Sequence, residues 1–305
     1  MPQDGDDRGI VRTLLIQGAR MLGSTRPPTL AVLMPVYNAE PYIAQAVESI
    51  RAQSFEDFEL ILLDDGSTDG SLAELKRQAS QDDRITLISR PNTGIVDALN
   101  EMIDHARSPF LARMDADDIA FPDRFKVQVE FLSKNPDTVC IGGGIELIDS
   151  RDRHLLTPPP VQGDKQVQTE ALCGRTPISH PAAMMRAETV KAVGGYRRDS
   201  YPAEDLDLFL RLGEIGKLDN VPDLVLRYRV HSGSISVRLS EKQINKMRLA
   251  CERAWQRRGV QGQFRGTIEA KPSGAYHVES AIHPPIHANP TASALSSRIT
   301  ANERS

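Results

Sequence analysis

Cysteine is scarce in this chain, and its pattern argues against two classes of small, cross-linked domain. The three cysteines, Cys140, Cys173 and Cys251, lie far apart and are odd in number. Zinc sites and disulfide frameworks need cysteines in close or regularly spaced pairs. We therefore expect neither, and the unpaired thiols are typical of a protein in a reducing compartment.

Charge of one sign, aromatic side chains and long apolar runs are also scarce. Lysine and arginine number 37 against 41 for aspartate and glutamate, and aromatic residues make up 5% of the chain. Because nucleic-acid-binding domains are usually basic and single-strand binders stack bases on aromatic rings, we expect no nucleic-acid partner. No apolar run approaches the ~18 residues of a membrane-spanning helix. The acidic residues 1–7 are unlike a secretory signal, so we expect a cytoplasmic protein, with the inner face of the membrane as an alternative place.

The 305 residues divide into an extension, one large domain and a tail. In the extension, residues 1–28, the segment 10–17 has the pattern of a short amphipathic helix that packs on the domain or touches a membrane. The domain spans residues 29–260 and is long enough for a sizeable core. The tail, residues 261–305, loses the alternating pattern and is rich in small, polar and proline residues, so we expect it to be disordered.

Within the domain, apolar runs alternate with helical stripes. Continuous apolar runs are typical of strands buried on both faces, and apolar residues at helical spacing follow them. This order predicts an α/β fold with a mostly parallel sheet and right-handed crossovers. The predicted strands are residues 30–34, 58–63, 85–88, 110–114, 138–141, 182–186 and 224–230. The predicted helices are residues 41–53, one that Ser67 or Thr68 caps and that runs to Ala79, 96–106, 122–134 and 240–258.

An acidic loop follows the fourth of these strands. Asp115, Asp117 and Asp118 come directly after the apolar residues 110–112. In open α/β sheets ligands bind at the carboxyl ends of strands, and carboxylate oxygens there hold Mg²⁺ or Mn²⁺ together with a diphosphate. A solvated acidic turn on the surface is the alternative interpretation.

A series of short motifs runs along the domain. They are Met34-Pro35-Val36-Tyr37-Asn38-Ala39-Glu40, Leu63-Asp64-Asp65-Gly66-Ser67-Thr68-Asp69-Gly70, Asn92-Thr93-Gly94-Ile95-Val96-Asp97-Ala98-Leu99-Asn100, Asp115-Ala116-Asp117, Gly194-Gly195-Tyr196 and Glu204-Asp205. Together, in this order and spacing, they resemble the family 2 glycosyltransferases over residues 29–235. The resemblance implies the GT-A fold. A Rossmann-like nucleotide-binding half, about residues 29–120, then joins an acceptor-binding half, about residues 121–235.

The resemblance implies a nucleotide-sugar donor, most often a UDP-sugar. The donor pocket would comprise Pro35, Val36, Tyr37, Glu40, Asp65, Gly94, Asp115 and Ala116. Asp65 would accept a hydrogen bond from the uracil ring, and Gly94 would let the backbone approach the nucleotide. Ordinary core packing of Tyr37, and a tight turn that only caps a helix at Asp65, are the alternatives.

The resemblance also implies a metal ion, Mn²⁺ or Mg²⁺. Asp117 would coordinate it, while Asp115 would contact the ribose or the waters of the metal. His231 stands where many GT-A enzymes supply a late histidine ligand, although a lone histidine is often structural. Asp118 is expected at a helix start or behind the ligands.

Glu204 and Asp205 open an apolar helix, where acidic residues also complement the helix dipole. By resemblance, Asp205 is the general base of an inverting transfer and Glu204 orients the acceptor or the base. An exposed carboxylate titrates near pH 4 and is ionised at neutral pH, so we expect Asp205 to accept a proton. His180 matches a region that lines the acceptor site in the family, and an ordinary structural histidine is the alternative. We expect Arg113 to contact a phosphate or to point out of its strand end.

No Gln-x-x-Arg-Trp segment is present, and the single tryptophan is Trp255. Processive synthases of the family carry that segment beside membrane spans, so we expect addition of one sugar to a saccharide or a lipid-linked saccharide. Peripheral membrane contact would use the extension or the basic residues 242–258; the oligomeric state is not predicted. The alternatives are a sugar-nucleotide pyrophosphorylase, which usually has a Gly-rich phosphate loop after the first strand, and a silent binding module, which would be expected to lose Asp117 or Asp205.

Overall fold

A computed structural model describes residues 14–17, 26–231, 241–261, 264, 266–270 and 276–280. Its strands are β1 (Leu14–Gln17), β2 (Leu30–Val36), β3 (Phe58–Asp65), β4 (Ile85–Arg90), β5 (Phe110–Arg113), β6 (Ile119–Ala120), β7 (Thr138–Ile148), β8 (His154–Leu156), β9 (Met184–Arg186), β10 (Lys217–Arg229), β11 (Gly266–Ala270) and β12 (Tyr276–Ser280). The α-helices are α1 (Ile43–Arg51), α2 (Ser71–Ala79), α3 (Ile95–His105), α4 (Arg124–Lys134), α5 (Asp164–Leu172), α6 (Ala187–Ala192), α7 (Glu204–Leu212) and α8 (Glu241–Arg258).

One large sheet runs through the domain in the order β1-β4-β3-β2-β5-β9-β7-β10-β6, with β8 on the edge of β7. The consecutive strands β4, β3, β2 and β5 run parallel to one another, as the alternating sequence predicted. Both faces are covered, because alternate residues of β2 enter two separate cores: Leu30, Val32 and Met34 one, and Ala31 and Leu33 the other. The carboxyl ends of β2, β3 and β5 therefore meet along one rim.

The second half of the sheet mixes strand directions. Strand β9 runs antiparallel to both β5 and β7, while β7 and β10 are parallel to each other. These two strands pack tightly where β7 carries three glycines, since a Cβ at Gly143 would lie 2.7 Å from Val225 Cγ1. Strand β10 then returns to the rim and pairs with the short β6, which lies just after the acidic loop.

Three local predictions differ from the structure. Residues 14–17 form strand β1, which pairs antiparallel with β4, whereas residues 10–17 were predicted to be helical; residues 10–13 lie outside the described part. Strands β11 and β12 pair within the tail that was predicted to be disordered, and residues 281–305 are not described. Helix α2 has Gly70 at its N-cap, so the predicted caps Ser67 and Thr68 are wrong.

Helix α8 packs its apolar residues, among them Met247 and Trp255, against α5 and α7. Several of its basic side chains contact other parts of the domain: Lys246 Nζ donates to the Asp199 carbonyl, and Arg257 pairs with Glu214. None of the helices in the described ranges has the length and apolar character needed to cross a bilayer.

Candidate active site

Hydrogen bonds join the loop after β2 to the loop after β3. The Asn38 N–H donates to Ser67 Oγ at 3.0 Å, and Asn38 Oδ1 accepts the Thr68 N–H at 2.8 Å. Glu40 Oε2 accepts the Gly70 N–H at 2.9 Å. The first two motifs therefore form one rigid rim. Glu40 has a partner within that rim, and its predicted contact with a nucleotide stays a prediction.

The end of β2 presents an aromatic ring to solvent. Tyr37 is 54% exposed, whereas Val36 beside it is 1% exposed and Pro35 is half-buried. An aromatic residue exposed to this degree does not pack in a core, so the alternative interpretation of Tyr37 is excluded. Its ring stands at the rim, where a flat base could stack on it.

Asp65 holds the loop of the third motif. Its Oδ1 accepts the Thr93 N–H at 3.0 Å and its Oδ2 accepts the Gly94 N–H at 2.8 Å. The buried Arg90 lies 3.1 Å from the same Oδ1. Gly94 has φ +96°, a conformation that favours glycine. Asp65 thus organises the rim; a carboxylate has about four acceptor sites, so one on Oδ2 can still receive a ligand N–H.

The acidic loop between β5 and β6 gathers three carboxylates. One oxygen each from Asp115, Asp117 and Asp118 lies within 4.8 Å of the others. Ala116, between the first two, is 7% exposed and packs in the core. The loop is therefore anchored by its apolar residue and turns its carboxylates toward one another, unlike a solvated surface turn.

His231, just beyond β10, meets this loop. Its Nε2 lies 2.9 Å from Asp117 Oδ2, and its ring centroid lies 5.2 Å from that of Tyr42. Arg229, two residues earlier, donates from Nε to the Asp117 carbonyl at 2.7 Å. The structure thus brings His231 to the residue that the sequence predicted as its co-ligand.

Asp118 and Arg229 form a buried support for the acidic loop, and of the two only Arg229 was missed by sequence reasoning. Arg229 is 2% exposed and Asp118 is 1% exposed. The Arg229 N–H donates to Asp118 Oδ1 at 2.8 Å, and its guanidinium also donates to Gln45 Oε1 at 3.0 Å. Asp118 therefore lies behind the ligands, which is one of the two roles that the sequence predicted for it. It does not begin a helix, the other predicted role, since α4 starts at Arg124. The one available signal for Arg229 was that it is the second arginine of an alternating strand. Arginines in such a pattern more often lie on a solvent-exposed face.

Arg113, at the end of β5, reaches into the same site. Its guanidinium forms an ion pair with the Asp115 carboxylate, and it is 3% exposed. Burial raises the pKa of Asp115, and the nearby Asp117 and Asp205 carboxylates raise it further, whereas Arg113 lowers it. The predicted metal loop and the predicted base are therefore within electrostatic reach of each other and of Arg113.

Glu204 and Asp205 open helix α7 at this rim. Asp205 Oδ1 accepts the N–H of Leu206 at 2.7 Å. Burial raises the pKa of Glu204 to about 7, with a further rise from the neighbouring Asp205 carboxylate, and burial raises the pKa of Asp205 as well. Asp205 is thus not the freely exposed carboxylate that the sequence suggested. A group with a raised pKa is a stronger base once it is ionised.

His180 packs against Tyr196 and against Phe209 of helix α7. Its Nε2 lies 2.8 Å from the Tyr196 hydroxyl, and burial holds its pKa well below the usual value, so the ring is neutral. The Tyr196 backbone is clamped by Asn100, whose amide donates to its carbonyl and accepts its N–H, both at 2.9 Å. His180 therefore has a structural partner, and its contact with an acceptor stays a prediction.

The donor set suits a hard divalent cation. Three carboxylates and an imidazole converge on one loop, and Asp118 Oδ2 is buried without a hydrogen-bond partner among the described residues. Burial raises the pKa of Asp118 well above its usual value, and repulsion from Asp115 and Asp117 adds to the rise. A cation between these oxygens would relieve that repulsion, and oxygen ligands are those that Mg²⁺ and Mn²⁺ prefer.

Comparison with known proteins identifies the family of this chain. The family model "Glycosyl transferase family 2" matches residues 31–194, more than half of the chain. The chain belongs to this family. It is therefore a glycosyltransferase, and its α/β architecture is the GT-A fold that the motifs predicted.

Two curated relatives illustrate the similarity. The putative glycosyltransferase EpsE of Bacillus subtilis (strain 168) is 38% identical over 196 residues, which cover 62% of this chain and 68% of EpsE. The amylovoran biosynthesis glycosyltransferase AmsE of Erwinia amylovora is 28% identical over 248 residues, which cover 78% of this chain and 90% of AmsE.

Two solved structures share the fold. The S. aureus TarS fragment 1–349 in complex with UDP-GlcNAc has a TM-score of 0.59 at 18% identity, over 73% of this chain and 65% of that one. The mannosyltransferase PcManGT from Pyrobaculum calidifontis, in complex with GDP-Man and Mn²⁺, has a TM-score of 0.59 at 19% identity, over 76% and 65%. The chain thus spans just under two thirds of either structure, and at this identity the likeness concerns the fold alone.

Proposed function

We propose that this glycosyltransferase is inverting and metal-dependent and moves one sugar from a UDP-sugar to an acceptor hydroxyl. The observation that carries the proposal is the meeting of two acidic groups at one rim. The loop of Asp115 and Asp117, with His231, provides ligands for a cation, and Asp205 lies within electrostatic reach of it. A diphosphate held at the loop and a hydroxyl held at Asp205 would face the same sugar.

At the loop, Asp117 and His231 would hold Mn²⁺ or Mg²⁺, with Asp115 at its waters or at the ribose. When bound, the cation offsets the negative charge that grows on the departing diphosphate. Asp118 and Arg229 keep the loop in place through their buried hydrogen bond, so the ligands need little rearrangement to bind.

At the other side, Asp205 would take the proton of the acceptor hydroxyl. The acceptor oxygen forms its bond to the anomeric carbon while the bond from that carbon to the diphosphate oxygen breaks. The proton ends on the Asp205 carboxylate, and UDP leaves with the electron pair of the broken bond. Glu204, whose pKa burial raises to about 7, would be partly protonated near neutral pH and able to donate a hydrogen bond to the acceptor or the base.

The choice of UDP rests on the rim formed by β2 and β3. Tyr37 offers an exposed ring for stacking, and Asp65 keeps one acceptor site that matches the N–H of uracil. TarS, which shares the fold, binds UDP-GlcNAc, whereas PcManGT binds GDP-Man, so the fold accepts more than one base. The names of relatives such as AmsE support a place in surface polysaccharide or glycolipid assembly, with a saccharide or lipid-linked saccharide as acceptor.

A thermal-shift panel tests the proposal. UDP, GDP, CMP and dTDP are each added with Mn²⁺, with Mg²⁺ and with a chelator, because a ligand that binds only the folded state raises Tm. We expect UDP to raise Tm by several degrees with a divalent cation and by much less with the chelator. Equal rises in Tm with and without metal would contradict the metal dependence of nucleotide binding. A larger rise in Tm with another nucleotide would identify that nucleotide, in place of UDP, as the one carried by the donor. No shift with any nucleotide would favour a silent module. Release of pyrophosphate from a nucleoside triphosphate and a sugar phosphate would favour a pyrophosphorylase.

A further inference from the structure

Arg113 is a buried arginine whose donors are not satisfied by the fold. It is 3% exposed, its Nη1 forms the ion pair with the Asp115 carboxylate, and its Nε has no hydrogen-bond partner among the described residues. A guanidinium carries five N–H donors and is always charged, so each buried donor that lacks an acceptor is costly. Such a group points to a ligand that supplies acceptors.

Two other buried arginines have a hydrogen-bond acceptor for every guanidinium nitrogen. Arg124 donates to Gln128 Oε1 at 3.2 Å, to Met114 Sδ at 3.3 Å and to the Arg113 carbonyl at 2.7 Å. Arg211 likewise uses all three nitrogens, on Asp207 and on two backbone carbonyls. Arg113 differs from these two arginines. It resembles Arg90, whose buried guanidinium is held by ion pairs with Asp65 and Glu101 and also has nitrogens without a hydrogen-bond partner among the described residues.

The position of Arg113 identifies the part of the ligand that it would meet. It pairs with Asp115 on the cation side and lowers the pKa of Glu204 and Asp205 on the base side, against the larger rise that burial causes. In an inverting transfer the base and the leaving group act on opposite faces of the sugar. The sugar ring would therefore lie between these two sides, above the guanidinium.

The surrounding charge narrows the class of sugar. Asp115, Glu204 and Asp205 all lie within electrostatic reach of one another and of Arg113. A hexuronate would bring another carboxylate into this group and be repelled. The hydroxyl and acetamido oxygens of an uncharged sugar instead provide hydrogen-bond acceptors for Arg113 without adding negative charge.

We propose that Arg113 binds oxygen atoms of the donor's sugar ring and that the donor sugar is an uncharged hexose or N-acetylhexosamine. This inference rests on the proposed function, since it places the sugar between the cation loop and Asp205. Arg113 then determines donor specificity, and its ion pair with Asp115 aligns the guanidinium for that contact.

Calorimetric binding with Mn²⁺ separates this role from a structural one. The ligands are UDP, UDP-glucose, UDP-galactose, UDP-N-acetylglucosamine and UDP-glucuronate, and the readout is the ratio of the Kd for UDP to the Kd for each sugar nucleotide. We expect at least one uncharged sugar to bind the wild-type chain about tenfold or more tighter than UDP, and glucuronate not to. Arg113→Met should lower this ratio about tenfold.

Two further variants distinguish a specific loss of sugar binding from a general loss of folded protein. Arg113→Lys keeps the charge beside Asp115 but loses the planar fork, so it should keep UDP binding and lose most of the sugar increment. Arg186→Met removes an arginine at the opposite end of the β5–β9 pair, where it donates to backbone carbonyls, and should leave the ratio unchanged.

Each possible result supports or overturns the inference about Arg113. If Arg113→Met and Arg113→Lys weaken UDP and the sugar nucleotides by the same factor, Arg113 only supports the loop and the inference is overturned. Glucuronate bound as tightly as the uncharged sugars overturns the substrate class. Failure of UDP to bind the wild-type chain overturns the UDP donor itself, and this inference with it.

Discussion

His231 Nε2 lies 2.9 Å from Asp117 Oδ2, although 114 positions separate the two residues in the chain. Strand β10 makes this contact possible, because it runs back to the acidic loop and pairs with β6 immediately after it. The imidazole and the carboxylate are thus presented together at the rim where β2, β3 and β5 end. A cation would find both ligands in place.

Replacing Asp117 tests the ligand role. Asp117→Ala should abolish the part of UDP affinity that depends on Mn²⁺, a loss of at least tenfold, because the carboxylate nearest His231 is removed. Titration calorimetry with Mn²⁺ and with a chelator measures it. The exposed Asp104 on α3 provides a matched control, since Asp104→Ala removes one negative charge without touching the loop. Equal metal dependence in both variants would count against Asp117 as a ligand.

Asp205→Asn tests the base. The variant keeps shape and hydrogen-bonding capacity but cannot take a proton, so donor binding should persist while transfer falls by about 10²–10⁴-fold. Kd for UDP-sugar and single-turnover transfer to an acceptor separate the two effects. An Asp205→Asn enzyme with near-normal kcat would refute the assignment, and a parallel loss of donor affinity would indicate a structural role for the residue.

Glu204 should make stability depend on pH. Burial raises its pKa from an ordinary value near 4.5 to about 7 in the folded state, so the unfolded chain loses this proton at lower pH than the folded one. The contribution is fully present below about pH 4.5 and is lost as pH rises through 7, roughly 3–3.5 kcal/mol in all. Denaturant unfolding in chelator across this range measures it. Glu204→Gln should flatten the curve; an unchanged slope in that variant would contradict the raised pKa.

Gly143 tests the close packing of β7 on β10. A methyl group there would lie 2.7 Å from Val225 Cγ1 and 2.8 Å from Cγ2, so Gly143→Ala should lower the free energy of unfolding by about 1–3 kcal/mol. Chemical denaturation measures the loss. Combining it with Val225→Ala should remove the clash, and the double variant should be more stable than the sum of the single losses allows. Strict additivity would show that the strand pair relaxes around the methyl group.

Much of the nucleotide-binding half could be predicted from spacing alone. The apolar runs at residues 30–34, 58–63 and 85–88 lie within β2, β3 and β4, and the acidic loop follows β5 as expected. The ends of elements were less accurate. Strand β10 begins at Lys217, seven residues before its predicted start, because Pro222 and exposed polar residues hide its continuation through an irregular pairing with β7.

The supporting residues of the site were not visible in the sequence. Arg229 is an ordinary alternating residue by pattern, yet it is buried and holds both Asp117 and Asp118. Arg113 and Glu204 likewise gain their character from burial. Desolvation depends on what packs around a group, and no local pattern states which distant segment will do so.

The sequence by itself determined the α/β class, the order of the elements and the loops that bear carboxylates, because periodicity and motif spacing are properties of neighbouring residues. Only the tertiary structure decided which loops meet. The sheet order β5-β9-β7-β10-β6 brings His231 to Asp117, and the fold places Arg113 in an ion pair with Asp115 and within electrostatic reach of Asp205. Burial there then raises the pKa of Glu204, because removing water penalises the charged form of a carboxylate.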